Sequence, residues 1–326
     1  MEKNARIYVA GHRGLAGSAI VRRLKAEGYN NLLLRTHGEL DLTAQDASSA
    51  FMAREKPDYV FLAAARVGGI HANNTYRADF IYNNLSIQNN IIHACWQNKV
   101  KRLIFLGSSC IYPKDCPQPM REEHLLIGPL EPTNLPYAIA KIAGVEMCRA
   151  FNRQYGTHFL SLMPTNLYGP GDNYDLQNSH VLPALIHKIH TAKQQQASEY
   201  VLWGTGTPRR EFLYVDDLAA ASVFLANLPE ADFLELLQHP VAPALINVGY
   251  GSDLTIEELA HSVSKVIGFS GNIVKDASKP DGTLLKLLDS SRLRALGWRP
   301  QYSLEQGIAL AYQAFLAEFP IAKSAA

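Results

Sequence analysis

A tyrosine and a lysine stand four positions apart in this chain, downstream of a serine in a Leu-Gly-Ser-Ser-Cys run. Four residues make about one helical turn, so the phenol of Tyr137 and the ammonium of Lys141 would share a helix face. A nearby cation favours the phenolate, so we expect Lys141 to lower the pKa of Tyr137 from its usual value of about 10. The hydroxyl of Ser108 could polarise a carbonyl at the same place. The trio predicts acid–base chemistry at a carbonyl, although the same spacing also occurs by chance on exposed helices.

Short apolar runs alternate with helical segments through the first half of the chain. We predict strands at residues 7–10, 31–35, 58–65, 102–106 and 158–163. We predict helices at residues 18–24, 47–55 and 76–98, and another from near Pro136. This alternation predicts an α/β fold with a Rossmann-like, doubly wound parallel sheet, covered by helices on both faces. Ligands of such folds bind at the carboxyl ends of the strands, where Ser108 would lie.

The alternation loosens after the Tyr-Gly-Pro-Gly run that ends at Gly171. The later, loop-rich segments predict a smaller α/β lobe that is discontinuous in sequence. We assign residues 1–172, with about 212–250, to a cofactor-binding domain. Residues 173–211 and 251–326 then form the substrate-binding domain.

Composition narrows the class of protein. The chain has 326 residues, and its 31 basic and 30 acidic residues give a net charge of +1, which argues against nucleic-acid binding through bulk charge. The four cysteines have no metal-site spacing, so we predict no metal and expect free thiols in a reducing compartment. Neither a signal-peptide core nor an apolar run of about 18 residues occurs, so we expect a cytoplasmic protein that does not bind membranes.

Three glycines, Gly11, Gly14 and Gly17, lie between the first predicted strand and the first predicted helix. Glycines at that place let the backbone approach a pyrophosphate that rests on the helix N-terminus. Close strand–helix packing alone is the alternative. Cations at the end of the second strand favour a 2′-phosphate, so Arg35, with Arg13 in the glycine loop as another cation, favours NADP(H) over NAD(H), whereas His37 weakens that site. Arg35 could instead be a solvated surface residue.

This glycine spacing, together with Tyr137 and Lys141, resembles the extended branch of the short-chain dehydrogenase/reductase superfamily. Over almost its whole length the chain further resembles the GDP-L-fucose synthase family. The motifs that carry this resemblance are AAARVGGI at 63–70, LGSSCIYP at 106–113, EPTN at 131–134, YAIAKIAG at 137–144, MPTNLYG at 163–169, NSHV at 178–181, REF at 210–212 and DASKPDG at 276–282.

The resemblance implies a 3,5-epimerisation of GDP-4-keto-6-deoxy-D-mannose, followed by NADPH-dependent reduction at C4. Cys110 would abstract the proton beside the ketone and His180 would return one on the opposite face. Ser108 and Tyr137 would stabilise the enolate, and Tyr137 would then deliver a proton to the C4 oxygen. Taken without the resemblance, Cys110 is more simply a small buried hydrophobe and His180 a structural histidine.

The resemblance also implies two sets of ligand contacts. The cofactor set is Gly11, His12, Arg13, Gly14, Leu15, Ala16, Gly17, Arg35, His37, Asp41, Leu42, Leu106, Gly107, Ser108, Lys141, Pro164, Thr165, Asn166, Leu167 and His180. The substrate set is Asn166, Lys188, Trp203, Arg210, Asp281 and Lys286. Core packing is the alternative role for Trp203, and a surface salt bridge is the alternative for Arg210. The chain has His37 and Lys188 where family members often carry arginine, and a lysine lacks the bidentate fork of a guanidinium.

Helix pairing in the family implies a C2 homodimer formed by helix 76–98 and the helix that carries Tyr137. Two other kinds of function remain open at this point. One is another nucleotide-sugar enzyme, a 4-epimerase or a 4,6-dehydratase. The dehydratase reading is disfavoured because Thr133 and Asn134 stand where an Asp-Glu pair is common. The other is a non-catalytic cofactor sensor, which is disfavoured because Ser108, Tyr137 and Lys141 are all present.

Overall fold

The structure is a computed structural model that describes residues 1–319, except residues 177 and 280. Its strands are β1 (Ile7–Ala10), β2 (Leu32–Leu33), β3 (Tyr59–Leu62), β4 (Arg102–Leu106), β5 (Phe159–Pro164), β6 (Asn166–Tyr168), β7 (Glu199–Trp203), β8 (Arg209–Arg210), β9 (Phe212–Tyr214), β10 (Leu245–Val248), β11 (Leu254–Thr255), β12 (Asn272–Asp276) and β13 (Leu285–Lys286). Its α-helices are α1 (Leu15–Ala26), α2 (Gln45–Glu55), α3 (Ile70–Thr75), α4 (Arg77–Gln97), α5 (Leu135–Tyr155), α6 (Val181–Gln194), α7 (Val215–Ala226), α8 (Glu230–Leu237), α9 (Ile256–Ile267), α10 (Ser291–Ala295) and α11 (Leu304–Glu318). Residues 320–326 of the predicted substrate domain, and Pro280 of the DASKPDG motif, lie outside the described residues.

A six-stranded parallel sheet forms the centre of the larger lobe, in the order β10-β5-β4-β3-β1-β2. Strand β1 pairs with β2 on one side and with β3 on the other, so the chain winds outward from β1 in both directions. This confirms the predicted doubly wound fold. Ligands bind beyond the carboxyl ends of strands where the winding reverses, which here is the edge beside Gly11.

Helices cover both faces of this sheet, and β1 shows how its sequence supports that. Ile7 and Val9 pack into one core with residues of α1 and α7, whereas Tyr8 and Ala10 pack into a second core with residues of α2, α4 and α5. All four residues are buried, as expected for a strand that contacts helices on both faces. Among the described residues, no helix combines the length and the apolar character needed to cross a membrane.

Several predicted bounds differ from the observed ones, and each difference has a local cause. The predicted strand 31–35 shortens to Leu32–Leu33, an edge strand that pairs only with β1. The predicted strand 58–65 ends at Leu62, because the following alanines leave the sheet and line a cleft. The predicted helix 76–98 is preceded by a separate short helix, α3.

The smaller lobe consists of short strands and three packed helices from separate parts of the sequence. Strand β7 pairs in parallel with β12, and β8 lies between β11 and β13. Helices α6, α9 and α11 bury a third core that includes Leu185, Val263 and Phe315. The prediction of a smaller α/β lobe built from discontinuous segments is confirmed.

Candidate active site

A cleft of about 870 Å³ lies at the carboxyl edge of the large sheet. Gly11 after β1, Ala63 after β3, Gly107 after β4 and Thr165 after β5 all line it, as the topology requires. Most of the predicted cofactor set lines this one cleft. Those residues are Gly11, Gly14, Leu15, Ala16, Gly17, Arg35, His37, Asp41, Leu42, Leu106, Gly107, Ser108, Lys141, Pro164, Thr165, Asn166, Leu167 and His180.

The glycine loop suits an anion. Gly14 is the N-cap of α1 and provides no side-chain cap, and the first turn of this helix carries no acidic residue. The helix N-terminus therefore presents backbone N–H groups and the positive end of its dipole. A Cβ on Gly17 would lie 2.1 Å from the carbonyl oxygen of Gly11, so only glycine permits this approach of helix and strand. His12 and Arg13 belong to the same loop but do not line the cleft.

The predicted 2′-phosphate residues line the other end of the cleft. The Arg35 guanidinium lies 3.5 Å from a carboxylate oxygen of Glu55 and 5.5 Å from the ring centre of Phe51. The imidazole of His37 is exposed, and its Nδ1 lies 3.8 Å from a carboxylate oxygen of Asp41. Arg35 is thus a cation near the end of β2 that Glu55 and Phe51 hold in place, whereas His37 is exposed beside the Asp41 carboxylate.

Helix α5 brings the predicted catalytic trio together. Tyr137 and Lys141 share one face, with the Lys141 Nζ 5.8 Å from the centre of the Tyr137 ring. The ammonium donates a hydrogen bond to the carbonyl oxygen of Leu106 at the end of β4 (2.8 Å). The Ser108 hydroxyl, just beyond that strand end, acts on the Tyr137 phenol and favours its ionised form. The end of β4 and one turn of α5 therefore bring the Tyr137 phenol, the Lys141 ammonium and the Ser108 hydroxyl together in the lining of one cleft.

The electrostatics of this trio reverse our expectation from the sequence. Burial raises the pKa of Tyr137, and the Ser108 hydroxyl opposes this rise only in part. Burial also lowers the pKa of Lys141 to about 8. Desolvation disfavours both charged forms, and it outweighs the effect of the Ser108 hydroxyl on Tyr137 and that of Cys110 on Lys141. Tyr137 is therefore a neutral phenol at neutral pH, which suits a group that donates a proton.

Cys110 and His180 come from two different elements, and Cys110 acts on the trio while His180 lines the same cleft. Cys110 lies in the 3-10 turn Ser109–Ile111 and is 8% exposed. Burial raises the pKa of its thiol, and the Ser108 hydroxyl and the ammonium groups of Lys286 and Lys141 oppose that rise. His180 is the N-cap of α6 and lines the cleft, where desolvation lowers its pKa.

A cysteine that abstracts a proton acts as the thiolate, and a histidine that returns one acts as the imidazolium, whereas burial here favours the neutral form of both. A neutral thiol and a neutral imidazole hold the same total number of protons as a thiolate and an imidazolium. The pair can therefore interconvert by moving one proton, and the cations around Cys110 favour the thiolate form.

The predicted substrate residues divide into two groups. Asn166 lines the cleft, and Arg210 and Lys286 stand opposite one another on the paired strands β8 and β13. The charge of Lys286 acts on Cys110, so this strand pair flanks the catalytic trio. These positions place the Lys286 ammonium near the thiol, with the Arg210 guanidinium on the adjacent strand.

The remaining predicted substrate residues form a second group around an exposed indole. Trp203 is 62% exposed, and the Lys188 Nζ lies 4.3 Å from its ring centre, so the core-packing alternative for Trp203 is wrong. Asp281 accepts hydrogen bonds from the backbone N–H (3.0 Å) and the hydroxyl (2.6 Å) of Thr205. An aromatic face with a cation beside it lies on the smaller lobe.

Two acidic residues that the sequence did not single out lie at the site. Asp172 lines the cleft, and burial raises its pKa to about 7. Glu131 accepts hydrogen bonds from the backbone N–H groups of Thr133 (3.0 Å) and Asn134 (3.2 Å), just before α5, and its charge acts on Lys286. Glu131 belongs to the EPTN motif and Asp172 directly follows the Tyr-Gly-Pro-Gly run, but nothing in the sequence indicated a role for either carboxyl group at the site.

Comparisons with known proteins agree with this geometry. Residues 7–235 match the model of the NAD dependent epimerase/dehydratase family. The chain is 57% identical over 311 residues to the GDP-L-fucose synthase of Escherichia coli (strain K12), covering 95% of this chain and 96% of that protein. The chain belongs to the GDP-L-fucose synthases of this family.

Solved structures of related proteins share the fold of this GDP-L-fucose synthase family member. A GDP-6-OMe-4-keto-L-xylo-heptose reductase from C. jejuni has a TM-score of 0.90 and 40% identity, covering 98% of this chain and 99% of that chain. A GDP-L-fucose synthetase from Naegleria fowleri bound to NADP has a TM-score of 0.85 and 29% identity, covering 99% of this chain and 98% of that one.

The buried ammonium of Lys141 makes a pH-dependent contribution to stability. Below about pH 8 the folded chain bears the full cost of a buried charge, and this cost is relieved as pH rises towards 10.5, the ordinary pKa of a lysine. In that window the unfolded chain binds more protons than the folded one, so stability rises with pH. Relative to a Lys141→Met variant, the parent should gain on the order of 2 kcal/mol between about pH 7 and about pH 10.

Urea denaturation of both proteins at the two pH values measures this double difference. Packing changes caused by the methionine are independent of pH and cancel. A difference between the two proteins that stays constant with pH would show that Lys141 is not desolvated in the folded chain.

Proposed function

We propose that this chain is a GDP-L-fucose synthase that epimerises GDP-4-keto-6-deoxy-D-mannose at C3 and C5 and then reduces C4 with NADPH. The observation that carries the proposal is the presence of Cys110 and His180 beside a complete Ser108, Tyr137 and Lys141 trio. A simple ketone reductase needs the trio alone, because it does not move protons on carbon. A thiol and an imidazole are the additional groups that an epimerisation requires.

The cleft suits NADP(H). The N-terminus of α1, with Gly11 and Gly14, would hold the pyrophosphate, and Arg35 with His37 would hold the 2′-phosphate. The bound cofactor supplies a hydride for the C4 carbon. The close contact between Gly17 of α1 and the Gly11 backbone supports this assignment, because a side chain at position 17 would push the helix away from the strand.

The epimerisation depends on the acidity that a C4 ketone gives to the protons on C3 and C5. Cys110, as the thiolate, would remove a proton from one face of the sugar, and His180, as the imidazolium, would return one to the other face. Ser108 and Tyr137 would donate hydrogen bonds to the enolate oxygen while it carries the charge. The cations of Lys286 and Lys141 support the thiolate, because they oppose the effect of burial on the Cys110 thiol.

The reduction needs a proton at the C4 oxygen, and Tyr137 would provide it. Its raised pKa keeps the phenol protonated until the oxygen becomes strongly basic. Lys141, fixed by its bond to the Leu106 carbonyl, would stabilise the phenolate that remains. The same phenol therefore serves twice, as a hydrogen-bond donor in the first reaction and as a proton donor in the second.

Substrate binding would use both lobes. Asn166 would contact the sugar, Arg210 and Lys286 the diphosphate, and Trp203 with Lys188 and Asp281 the guanosine. Guanidinium and ammonium groups suit phosphate oxygens, and an indole suits a purine. The proposed division of the chain follows this use: residues 1–172 with about 212–250 hold the cofactor, and residues 173–211 and 251–326 hold the substrate.

The proposal includes a C2 homodimer in the cytoplasm. Helices α4 and α5 pack together and expose Tyr82 (68%) and Ile139 (42%). Exposed apolar groups on adjacent helices support a helix-pairing interface. The four cysteines are all free thiols, which supports a reducing compartment.

A Tyr137→Phe variant tests the reductive half of the proposal. Loss of the phenol oxygen should lower the rate of NADPH-dependent reduction of GDP-4-keto-6-deoxy-D-mannose by roughly 100-fold or more. NADPH binding should persist, because the ring remains. The rate is measured from NADPH absorbance, and binding from NADPH fluorescence. Reduction as fast as the parent's, or parent activity on UDP-glucose in place of the GDP-sugar, would contradict the proposal.

A Cys110→Ser variant tests the epimerase half. A serine hydroxyl is a much weaker acid than a thiol, so deuterium wash-in from D2O at C3 and C5 should slow by roughly 100-fold or more. NMR of the keto sugar without NADPH follows the wash-in. Cys116→Ser is the matched control, since Cys116 is also buried but its thiol contacts His124, and the charges of Lys286 and Lys141 that act on Cys110 do not act on it. Equal wash-in for the Cys110→Ser variant and the parent would remove Cys110 from the mechanism.

A further inference from the structure

Glu211 carries a fully buried carboxylate, 0% exposed, between the substrate strand β8 and strand β9. A buried carboxylate is costly unless hydrogen bonds satisfy it. One of its oxygens accepts a hydrogen bond from the backbone N–H of Gly251 (2.6 Å), and the other accepts one from the N–H of Leu288 (3.1 Å). Each carboxylate oxygen therefore holds a different segment of backbone.

The bond to Leu288 fixes the strand that carries Lys286. Leu288 follows this lysine by two positions, and the Glu211 N–H itself donates to the Lys286 carbonyl oxygen (3.3 Å). On its other side the same segment is held by Met120, whose N–H donates to the Leu287 carbonyl oxygen (2.7 Å). Met120 belongs to the loop that follows Cys110. The segment that contains β13 is therefore hydrogen-bonded to Glu211 on one side and to the loop after Cys110 on the other.

The main chain of Glu211 acts on the other side of the cleft. Its carbonyl oxygen accepts hydrogen bonds from the side-chain amide of Asn166 (2.8 Å) and the hydroxyl of Thr165 (3.2 Å). Both of these residues line the cleft. One buried residue thus contacts the cofactor side through its carbonyl group and the substrate side through its carboxylate.

We propose that Glu211 is a positioning residue that holds Lys286 against Cys110 and orients the amide of Asn166, so that substrate recognition and the catalytic thiol keep one fixed geometry. Its kinetic consequence rests on the proposed function, whereas its structural consequence for the thiol does not. Both carboxylate oxygens face N–H donors, so only an acidic residue satisfies both. A glutamine would turn an N–H group towards one of these donors and displace either Gly251 or Leu288.

Asp217 offers a matched control. It is also a buried carboxylate, 1% exposed, and it accepts hydrogen bonds from the backbone N–H groups of Gln301 (2.8 Å) and Tyr302 (3.2 Å). Asp217 does not line the cleft. An Asp217→Asn variant should therefore report the cost of disturbing a buried carboxylate without disturbing the site.

The test compares Glu211→Gln with Asp217→Asn by three measurements. Both variants should lower the melting temperature. Only Glu211→Gln should raise KM for the GDP-sugar, by roughly tenfold or more, with KM for NADPH within about twofold of the parent's. Only Glu211→Gln should raise the apparent pKa of Cys110, because Lys286 no longer supports its thiolate. Alkylation rate against pH, with Cys110 quantified by peptide mass, gives that pKa without substrate or cofactor.

Glu211→Asp provides a conservative variant, because it keeps the charge and shortens the reach. Its thiol pKa and KM should lie between those of the parent and Glu211→Gln, and it decides the question if Glu211→Gln does not fold. The proposal fails if the Glu211 variants change only the melting temperature, as Asp217→Asn does. If this chain acts on a different sugar, the predicted rise in KM for the GDP-sugar will not be seen. A shifted pH profile of Cys110 alkylation would still support the positioning role of Glu211.

Discussion

The buried contact between the Lys141 ammonium and the Leu106 carbonyl oxygen is the interaction on which the site depends. It ties helix α5 to the end of the central strand β4, and so fixes Tyr137 above the strand end that presents Ser108. Its cost is a desolvated charge, seen in the lowered pKa of Lys141. The same burial keeps the phenol of Tyr137 and the thiol of Cys110 protonated. A proton-donating site and an expensive buried lysine are thus two results of one packing arrangement.

The two lobes meet where the chemistry needs both. The large sheet provides the cofactor edge and the trio, and strands β8 and β13 bring Arg210 and Lys286 alongside. The charge of Lys286, on β13 of the smaller lobe, acts on the thiol of Cys110, which follows β4 of the large sheet. An epimerase needs such a cation, because a buried thiol has little reason to ionise unaided. Under the proposed function, the smaller lobe would therefore take part in catalysis as well as in substrate binding.

Sequence patterns predicted the elements that repeat a simple rule. Strands β1 and β4 have the predicted bounds because they are continuous apolar runs buried on both faces. The four-residue spacing of Tyr137 and Lys141 correctly placed both on one helix face. Motif resemblance predicted Cys110 and His180, which spacing alone could not. The spacing of the trio does not show whether its side chains are buried. The direction of the shift in the Tyr137 pKa was therefore predicted wrongly. Glu211 was missed for the same reason: its partners are backbone N–H groups from distant segments.

In the proposed function, one cleft inverts two carbons of the sugar before it reduces a third. Incubation with GDP-4-keto-6-deoxy-D-mannose and NADPH in D2O, followed by NMR of the isolated product, tests it most directly. The account predicts GDP-L-fucose with deuterium at C3 and C5 and with protium at C4. A reduced product that retains the manno configuration and carries protium at C3 and C5 would contradict it.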